Sequence, residues 1–182
     1  MIPRLVERRH RPPTNDLVLE QLRVFEALVE ELGQPRWTFD LVLVEDDAMA
    51  NLNSKFRSRT SVTDVLSFSY LQEQGEGPCD LSTGVLGAGV DLWVDSLAES
   101  PDGDGLTEIG EVVLAPNFIT SRCLDQGWSV VEEFPMLVVH GALHLLGWDH
   151  MDEKEAEAMR NLEEKFLQSN GLIHPLKSRK GA

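Results

Sequence analysis

Three histidines within eleven residues constrain this chain more than any other feature of its sequence. The segment His140-Gly-Ala-Leu-His144-Leu-Leu-Gly147-Trp-Asp149-His150 is otherwise largely apolar. His140 and His144 are four residues apart, so on a helix their rings project from the same face. Gly147 offers the positive-φ position at which helices end, which lets the chain turn back and bring in His150. The pattern predicts three imidazoles converging on one metal ion, with the fourth position left for water as in catalytic zinc sites.

The spacing of this motif equals the histidine and glycine frame of the metzincin proteases, H-E-x-x-H-x-x-G-x-x-H. The residue after the first histidine is Gly141, however, where those proteases carry the glutamate that acts as general base. The ligands are therefore kept while the base is missing, which argues against peptide hydrolysis. A structural zinc site is the main alternative, with Asp149 as a fourth ligand, or as a residue that orients a ligand or caps the turn.

The length and composition fit one domain with its own core, and we expect residues 1–182 to form that domain. No apolar run approaches the ~20 residues of a membrane span, and the first ten residues lack the apolar segment of a signal peptide. Cys79 and Cys123 match no metal or redox spacing. We therefore expect a cytoplasmic protein with reduced thiols and no membrane partner.

The charge is unevenly distributed along the chain. The formal net charge of −15 argues against a general nucleic-acid-binding surface. Residues 72–107, however, contain eight acidic residues and no Lys or Arg, and we interpret residues 71–107 as an acidic surface insertion. Basic clusters remain near both termini and at Lys55, Arg57 and Arg59. The acidity is thus local, and a local basic surface is not excluded.

Helix and strand patterns alternate without a strict βαβ order, which predicts an α+β domain. Strands are predicted at Trp37–Val44, Val62–Tyr70 and Glu108–Leu114, with part of residues 1–13 as an edge strand. Helices are predicted from Thr14 or Asn15 to Gly33, from a cap at Asp46 or Asp47 through Phe56, from Pro116 to Gln126, and from Ser129 to about Leu146. Pro135 allows a bend or a delayed start in the helix that carries the histidines. A last helix opens at Asp152 and ends at Gly171, which leaves residues 172–182 as a flexible tail.

The histidine segment resembles the signature of the YbeY family of bacterial rRNA-maturation endoribonucleases. Two further stretches agree: Leu52–Arg57 followed by Thr63–Phe68 is similar to that family's central segment, and Glu108–Leu114 to its Gly-Asp-Ile strand. The chain departs from the family at Phe56 and Trp148, where Tyr is usual, and at Val62 and Ser69, where Pro is usual. The resemblance implies a zincin-like fold, a small mixed β-sheet flanked by helices with the three-histidine metal site at one end of a cleft.

The resemblance also implies a function for this site. It implies one Zn²⁺ held by His140, His144 and His150 in a single-strand-specific endoribonuclease that acts in 16S rRNA 3′-end maturation and ribosome quality control. Arg57, in the polar loop before a strand, is the implied catalytic arginine, since a planar guanidinium suits a phosphate and the charge developing on it. Lys55 and Arg59 are candidate RNA contacts. Asn53 is either a cleft residue or part of the helix surface.

Several alternatives stay open at the level of sequence. Three imidazoles suit Zn, Cu, Fe and Ni alike, so the native metal is not identified. The nucleophile is either water or the ribose 2′-hydroxyl. Three alternatives to the ribonuclease function stay open. The chain is a metal-dependent hydrolase of another substrate, a non-catalytic, zinc-stabilised ribosome-assembly factor, or a domain whose histidines are incidental. Partners of the assembly or processing role would be single-stranded rRNA and small-subunit ribosomal proteins.

Overall fold

A computed structural model describes residues 4–7, 37–70 and 107–178. Their elements in chain order are strands β1 (Arg4–Glu7) and β2 (Trp37–Leu43), helix α1 (Asp46–Arg57), strands β3 (Val65–Ser69) and β4 (Thr107–Leu114), and helices α2 (Pro116–Gln126), α3 (Val130–Leu145), α4 (Glu153–Ser169) and α5 (Pro175–Ser178). The predicted helix of residues 14–33, Cys79 and the acidic insertion up to residue 106 lie outside the described residues. In the described ranges, no helix combines the length and the apolar character that crossing a membrane requires.

The four strands form one mixed sheet in the order β1-β2-β4-β3. β1, β2 and β4 run parallel, and β3 lies antiparallel to β4 at the edge. The predicted α+β class, the N-terminal edge strand and the strands beginning at Trp37 and near Glu108 are confirmed. The strand predicted for Val62–Tyr70 is too long. Asp64 accepts hydrogen bonds from the Val65 N–H and the Thr63 hydroxyl, which makes a turn before β3.

Side chains of alternate strand residues divide the core between the two faces of the sheet. Phe39, Leu41 and Leu43 pack on one face against the apolar residues of α3 and α4. Val42 and Val44 point to the other face, where Met49 of α1 lies. The sheet therefore separates α1 from α3, and this separation decides where each predicted site residue lies.

Helix α3 is the central element of the fold. Ten of its residues are buried, as expected for a helix that is apolar on nearly all sides. Ser129 caps it by accepting from the Glu132 N–H, as the sequence predicts. A delayed start at Pro135 is wrong, because the helix begins at Val130 and includes the proline. Burial on several sides offsets the hydrogen bond that the proline cannot donate.

Two glycines allow backbones to approach closely around α3. A Cβ on Gly141 would lie 2.6 Å from Val112 Cγ1, so only glycine lets α3 pack this tightly on β4. Gly110 has φ 152°, and its Cβ would collide with the Phe68 carbonyl. Gly110 lies where the register between β2 and β4 shifts, which is typical of a β-bulge. The metal-binding motif is thus held directly against the sheet.

The predicted N-cap of α1 needs correction. The N-cap of α1 is Glu45, while Asp46 and Asp47 occupy its first turn. Asp46 instead accepts from the Phe118 N–H at 3.2 Å, and Glu45 accepts from the Asn117 side chain at 2.8 Å. These acidic residues therefore satisfy donors at the start of α2, where negative charge is favoured. Sequence spacing does not reveal this contact because it joins residues about seventy positions apart.

The C-terminal region also differs from expectation. Asp152 caps α4 with a reciprocal Glu155 bond, and Gly171, with φ 72°, follows the helix as predicted. α4 is not the last helix, since Pro175–Ser178 form α5. Residues 172–178, assigned to a tail from sequence, pack on the domain instead, and His174 is only 5% exposed. A buried hydrogen bond to α4, described below, holds this segment in place.

Candidate metal centre

The end of α3 folds back as the sequence predicts. Gly147 has φ 87°, its N–H donates to the His144 carbonyl, and the Trp148 N–H donates to the Leu143 carbonyl. This pair of bonds is the Schellman arrangement that ends helices at a glycine. It reverses the chain within three residues and returns His150 toward His140 and His144.

The three histidines converge on one point. One ring nitrogen from each lies within 4.8 Å of the others, and the Nε2 atoms of His140 and His144 are 3.1 Å apart. Three nitrogens bound to one ion at about 2.0–2.1 Å lie roughly 3–4 Å apart. The cluster therefore has the size of a site for a single metal ion. The geometry suits a metal ion without identifying which one.

Electrostatics favour the neutral form that a metal ligand needs. Burial and the neighbouring charges of His140 and His150 lower the pKa of His144 to about 4. Asp149 acts weakly in the opposite direction on the same pKa. The ring of His144 is accordingly neutral at neutral pH, with a lone pair available for coordination.

A buried carboxylate fixes the orientation of His140. Glu163 of α4 is 4% exposed, and its Oε1 accepts from Nδ1 of His140 at 2.7 Å. Burial alone would raise the pKa of Glu163, but hydrogen bonds from His140 and His174 outweigh it and lower the pKa to about 2. An ionised carboxylate only accepts, so the proton of His140 sits on Nδ1 and Nε2 is left free. Carboxylates that orient metal-binding histidines in this way are common.

His174 completes this arrangement from the C-terminal segment. Its Nε2 donates to Oε2 of Glu163 at 3.2 Å, and its Nδ1 accepts from the Leu176 N–H at 3.2 Å. Both carboxylate oxygens of Glu163 are thereby bonded. The segment before α5 is thus connected to the histidine cluster through one buried carboxylate.

Sequence reasoning missed Glu163 and His174, although one signal was present. Glu163 falls between Met159 and Phe166 on the apolar face of α4. An acidic residue at an inward position of an amphipathic helix requires a partner, because burying an unpaired carboxylate is costly. The inward position of Glu163 therefore predicts a buried partner, but only the fold shows that this partner is His140.

Asp149 does not join the metal cluster. Its carboxylate accepts from the His150 N–H at 2.7 Å, and its side chain is exposed. Among the sequence alternatives, this contact supports the turn-capping role. It fixes the backbone of the residue that carries the third imidazole.

The basic residues predicted to bind substrate lie apart from the histidines. Arg57 is the last residue of α1 rather than part of a loop, and Ser58 ends the helix with φ 55°. Lys55, Arg57 and Arg59 are exposed. No hydrogen bond or ion pair joins Arg57 to the three histidines in the described part of the chain. The exposed ring of Phe56 lies among these cations, with Lys55 Nζ 5.0 Å from its centroid.

Strand β3 lies between the two groups of residues. Phe68 packs edge-on against Phe56, with ring centroids 4.8 Å apart. The neighbouring Ser69 donates its hydroxyl to the Leu145 carbonyl, at the end of the histidine-bearing helix, at 2.7 Å. Strand β3 thus contacts Phe56, the neighbour of Lys55 and Arg57, through Phe68, and the histidine-bearing helix through Ser69.

Asn53 has a structural position. It is 2% exposed, its side-chain amide donates to the Ser61 carbonyl at 2.7 Å, and its backbone carbonyl accepts from the Arg59 N–H. It therefore shapes the turn after α1 that presents Arg57 and Arg59. A cleft-facing role for Asn53 is not seen.

A partly buried ion network, which sequence reasoning also missed, holds the end of the loop between α1 and β3. Arg122 of α2 pairs with Asp64 and, at 2.6 Å, with Glu133 of α3. Glu133 is 2% exposed, and the guanidinium lies 5.5 Å from the centre of the Trp128 ring. Asp64, just before β3, is thereby tied to both α2 and α3.

Comparisons with known proteins agree with this geometry. A family model described as endoribonuclease YbeY matches residues 11–171. An endoribonuclease YbeY from Heliobacterium modesticaldum is 34% identical over 158 residues, covering 86% of this chain and 83% of the relative. One from Sphingopyxis alaskensis is 38% identical over 133 residues, covering 73% and 67%. The solution structure of a Thermotoga maritima protein has a TM-score of 0.50 at 20% identity and covers 93% of this chain and 91% of that one, which supports the fold alone.

Proposed function

Because the chain belongs to the YbeY endoribonuclease family, we propose that it is a metal-dependent, single-strand-specific endoribonuclease that processes ribosomal RNA. The processing step is 16S rRNA 3′-end maturation, with a further role in ribosome quality control and with small-subunit proteins as partners. The proposed location of the protein is the cytoplasm. We also assign the fold to the zincin-like class, supported by the antiparallel edge strand β3 beside the metal-binding helix α3.

The convergence of His140, His144 and His150 carries this proposal, since it provides three imidazole nitrogens close enough to bind one metal ion. We propose zinc as the metal, because three histidines with an open position are typical of catalytic zinc sites. Bound there, Zn²⁺ would act as a Lewis acid toward a phosphodiester and activate water at neutral pH. Glu163 holds the proton of His140 on Nδ1 and so keeps Nε2 directed at the ion.

The residue that follows His140 in the sequence is Gly141, so the glutamate base of the metzincin motif is missing. Gly141 faces Val112 and Ser67, and its hypothetical Cβ would lie 2.6 and 3.1 Å from atoms of these residues. A larger side chain would push α3 away from the sheet. Peptide hydrolysis by the metzincin route is therefore disfavoured by packing as well as by sequence, and the chemistry of the site must rely on the metal and on cations.

The residues of the α1 terminus supply those cations. Arg57 would bind the scissile phosphate and stabilise the negative charge that develops on it, while Lys55 and Arg59 hold the flanking backbone. Phe56 is 54% exposed among them and offers a surface on which an unpaired base can stack. Exposed cations around an aromatic ring are typical of single-strand binding, and they compensate locally for the acidic net charge.

The test is cleavage of a single-stranded RNA and of the same sequence in a duplex, with wild type and His144→Ala. We expect metal-dependent cleavage of the single strand by wild type only. The product ends identify the nucleophile, because a 2′,3′-cyclic phosphate requires attack by the 2′-hydroxyl. Circular dichroism of both proteins controls for folding.

Two outcomes would contradict the proposal. RNA cleavage that is equal in wild type and His144→Ala would indicate a contaminating nuclease. A metal-loaded wild type that binds small-subunit rRNA without cutting it would favour the non-catalytic assembly factor.

A further inference from the structure

A cavity adjoins the histidine cluster on the side of α3 that faces away from the sheet. It has a volume of about 260 Å³ and lies between α3, α4 and the start of α5. His140 and His150 contribute to its wall, beside Met136, Ala156, Met159 and Leu176. A group in this cavity would therefore lie next to a phosphate bound at the three histidines.

The chemistry of the lining favours a flat, uncharged group. Two methionines provide polarizable thioethers, which contact aromatic rings favourably. Glu163 and His174 also reach the cavity, but they are hydrogen-bonded to each other and to His140. Arg160 lies at the cavity as well, and a guanidinium plane can stack on a base. The volume is below the roughly 300–1,000 Å³ of sites for drug-sized ligands, so it suits a single ring system.

The neighbouring surface excludes the nucleic-acid backbone. Arg160, His174 and Leu176 also line an adjacent cleft whose other residues include Glu153, Glu157 and Glu164. Three carboxylates repel a phosphate group. A nucleotide strand can thus direct a base into the cavity while its phosphate stays at the histidines, but the strand cannot continue across α4.

We propose that this cavity, defined by Met136, Ala156, Met159 and Leu176, binds one nucleobase next to the scissile phosphate. The inference rests on the proposed ribonuclease function and adds a substrate-positioning site to it. A base must leave its stack and its pair to enter, which gives a physical reason for preferring single strands. The Glu163 carboxylate in the lining is already bonded to both His140 and His174, so recognition depends on stacking and tolerates different bases.

The first test observes the cavity directly and needs no cleavage. The chain has five methionines, and methyl-¹³C labelling of methionine in the zinc-loaded protein gives each a separate NMR signal. We expect adenosine monophosphate to shift the Met136 and Met159 signals saturably through the ring current of the base. Ribose 5-phosphate should not shift them. Met49, buried on the other face of the sheet, and Met151, 83% exposed, are internal controls.

The second test fills the cavity. Ala156→Leu places a larger side chain in it, and Ala158→Leu makes the same change on the same helix outside the lining. We expect Ala156→Leu to cleave single-stranded RNA at least tenfold more slowly at unchanged metal content, and Ala158→Leu to match wild type. An RNA with an abasic ribose at the position that faces the cavity should be cleaved by wild type as slowly as Ala156→Leu cleaves the normal RNA. Ala156→Leu should cleave the abasic and the normal RNA at the same rate.

These outcomes distinguish failure of the cavity assignment from failure of the proposed ribonuclease function. Full RNA cleavage by Ala156→Leu, or equal NMR shifts with ribose 5-phosphate, would overturn the cavity assignment and leave the ribonuclease intact. A wild type that cleaves no RNA would overturn the ribonuclease function, and with it the role of the cavity in substrate positioning. The NMR titration would still show whether the cavity takes a base.

Discussion

The two regions that together would cleave a phosphodiester are built in opposite ways. The histidine cluster lies on α3, with Glu163 and the Gly147 turn fixing its geometry. The cations at the end of α1 are exposed beside strand β3, where Phe56 packs on Phe68, and Asn53 holds the backbone around them. One region is ordered before substrate arrives, while the other presents long, exposed side chains.

This difference matches the tasks of the two regions. A metal ligand must be held within a few tenths of an ångström, and here Glu163 orients His140 while the Gly147 turn positions His150. A cation that binds a flexible RNA strand must adjust its position to that strand. Its contribution to the binding free energy depends on salt because the side chain is exposed. Binding of RNA and its cleavage should therefore be separable by changes in one region or the other.

Removal of the metal gives the largest expected effect. Chelation should lower single-strand cleavage by about 10³-fold or more, since a metal supplies several kcal/mol to the transition state. Binding of a non-cleavable single-stranded DNA, followed by fluorescence anisotropy, should change little because the α1 cations are untouched. Loss of binding in parallel with cleavage would show that the two regions are not independent.

Arg57→Ala is the converse experiment. We expect cleavage to fall by about 10²–10³-fold, while metal content measured by emission spectroscopy stays that of wild type. The matched control is Arg59→Ala, which should mainly weaken binding and reduce the salt dependence by about one phosphate contact. If Arg57→Ala and Arg59→Ala weaken RNA binding equally and neither lowers the cleavage rate of bound RNA, Arg57 is a phosphate contact and not a catalytic residue.

Arg122→Met tests the link between the regions. The free energy of unfolding should fall by about 3 kcal/mol, because Glu133 is left buried without its cation. Urea denaturation measures this change, with the exposed Lys154→Met as control. A decrease no larger than that of the control would mean that solvent already screens the Asp64–Arg122–Glu133 network.

Glu163→Gln addresses the support of the metal site. The amide cannot accept from both histidines as an ionised carboxylate does, so metal affinity should fall by about 10–100-fold. Competition with a chromophoric chelator measures the affinity, and Glu164→Gln, the adjacent residue, is the control. Unchanged affinity would show that His140 is oriented by the helix alone.

The smallest effect concerns Tyr70, the single tyrosine, at the end of β3. Burial and the nearby carboxylates of Glu111, Glu108 and Asp40 raise its pKa from 10.0 to about 12. The folded state thus favours the neutral phenol, and this contribution is present below pH 10 and lost as pH rises toward 12. Phenolate absorbance should titrate near 12 in the native protein, and nearer 10 in Glu111→Gln. A native midpoint near 10 would mean that this end of β3 is open to solvent.

The sequence determined the elements whose signals are local. The strands beginning at Trp37 and Thr107, the helix from Pro116 to Gln126, and the Ser129 and Asp152 caps follow from periodicity and capping chemistry alone. The convergence of His140, His144 and His150 was also predictable, because all three lie within one helix end and its turn. Family resemblance then supplied the substrate, which no spacing in this sequence specifies.

The tertiary structure decided every contact between distant parts of the chain. Glu163 meets His140 across 23 residues, Arg122 meets Asp64 across 58, and Ser69 meets Leu145 across 76. Such pairs leave no periodic signal, because each depends on how helices pack on the sheet. For the same reason the packing of the α1 terminus on β3, through Phe56 and Phe68, is a property of the fold and not of the sequence.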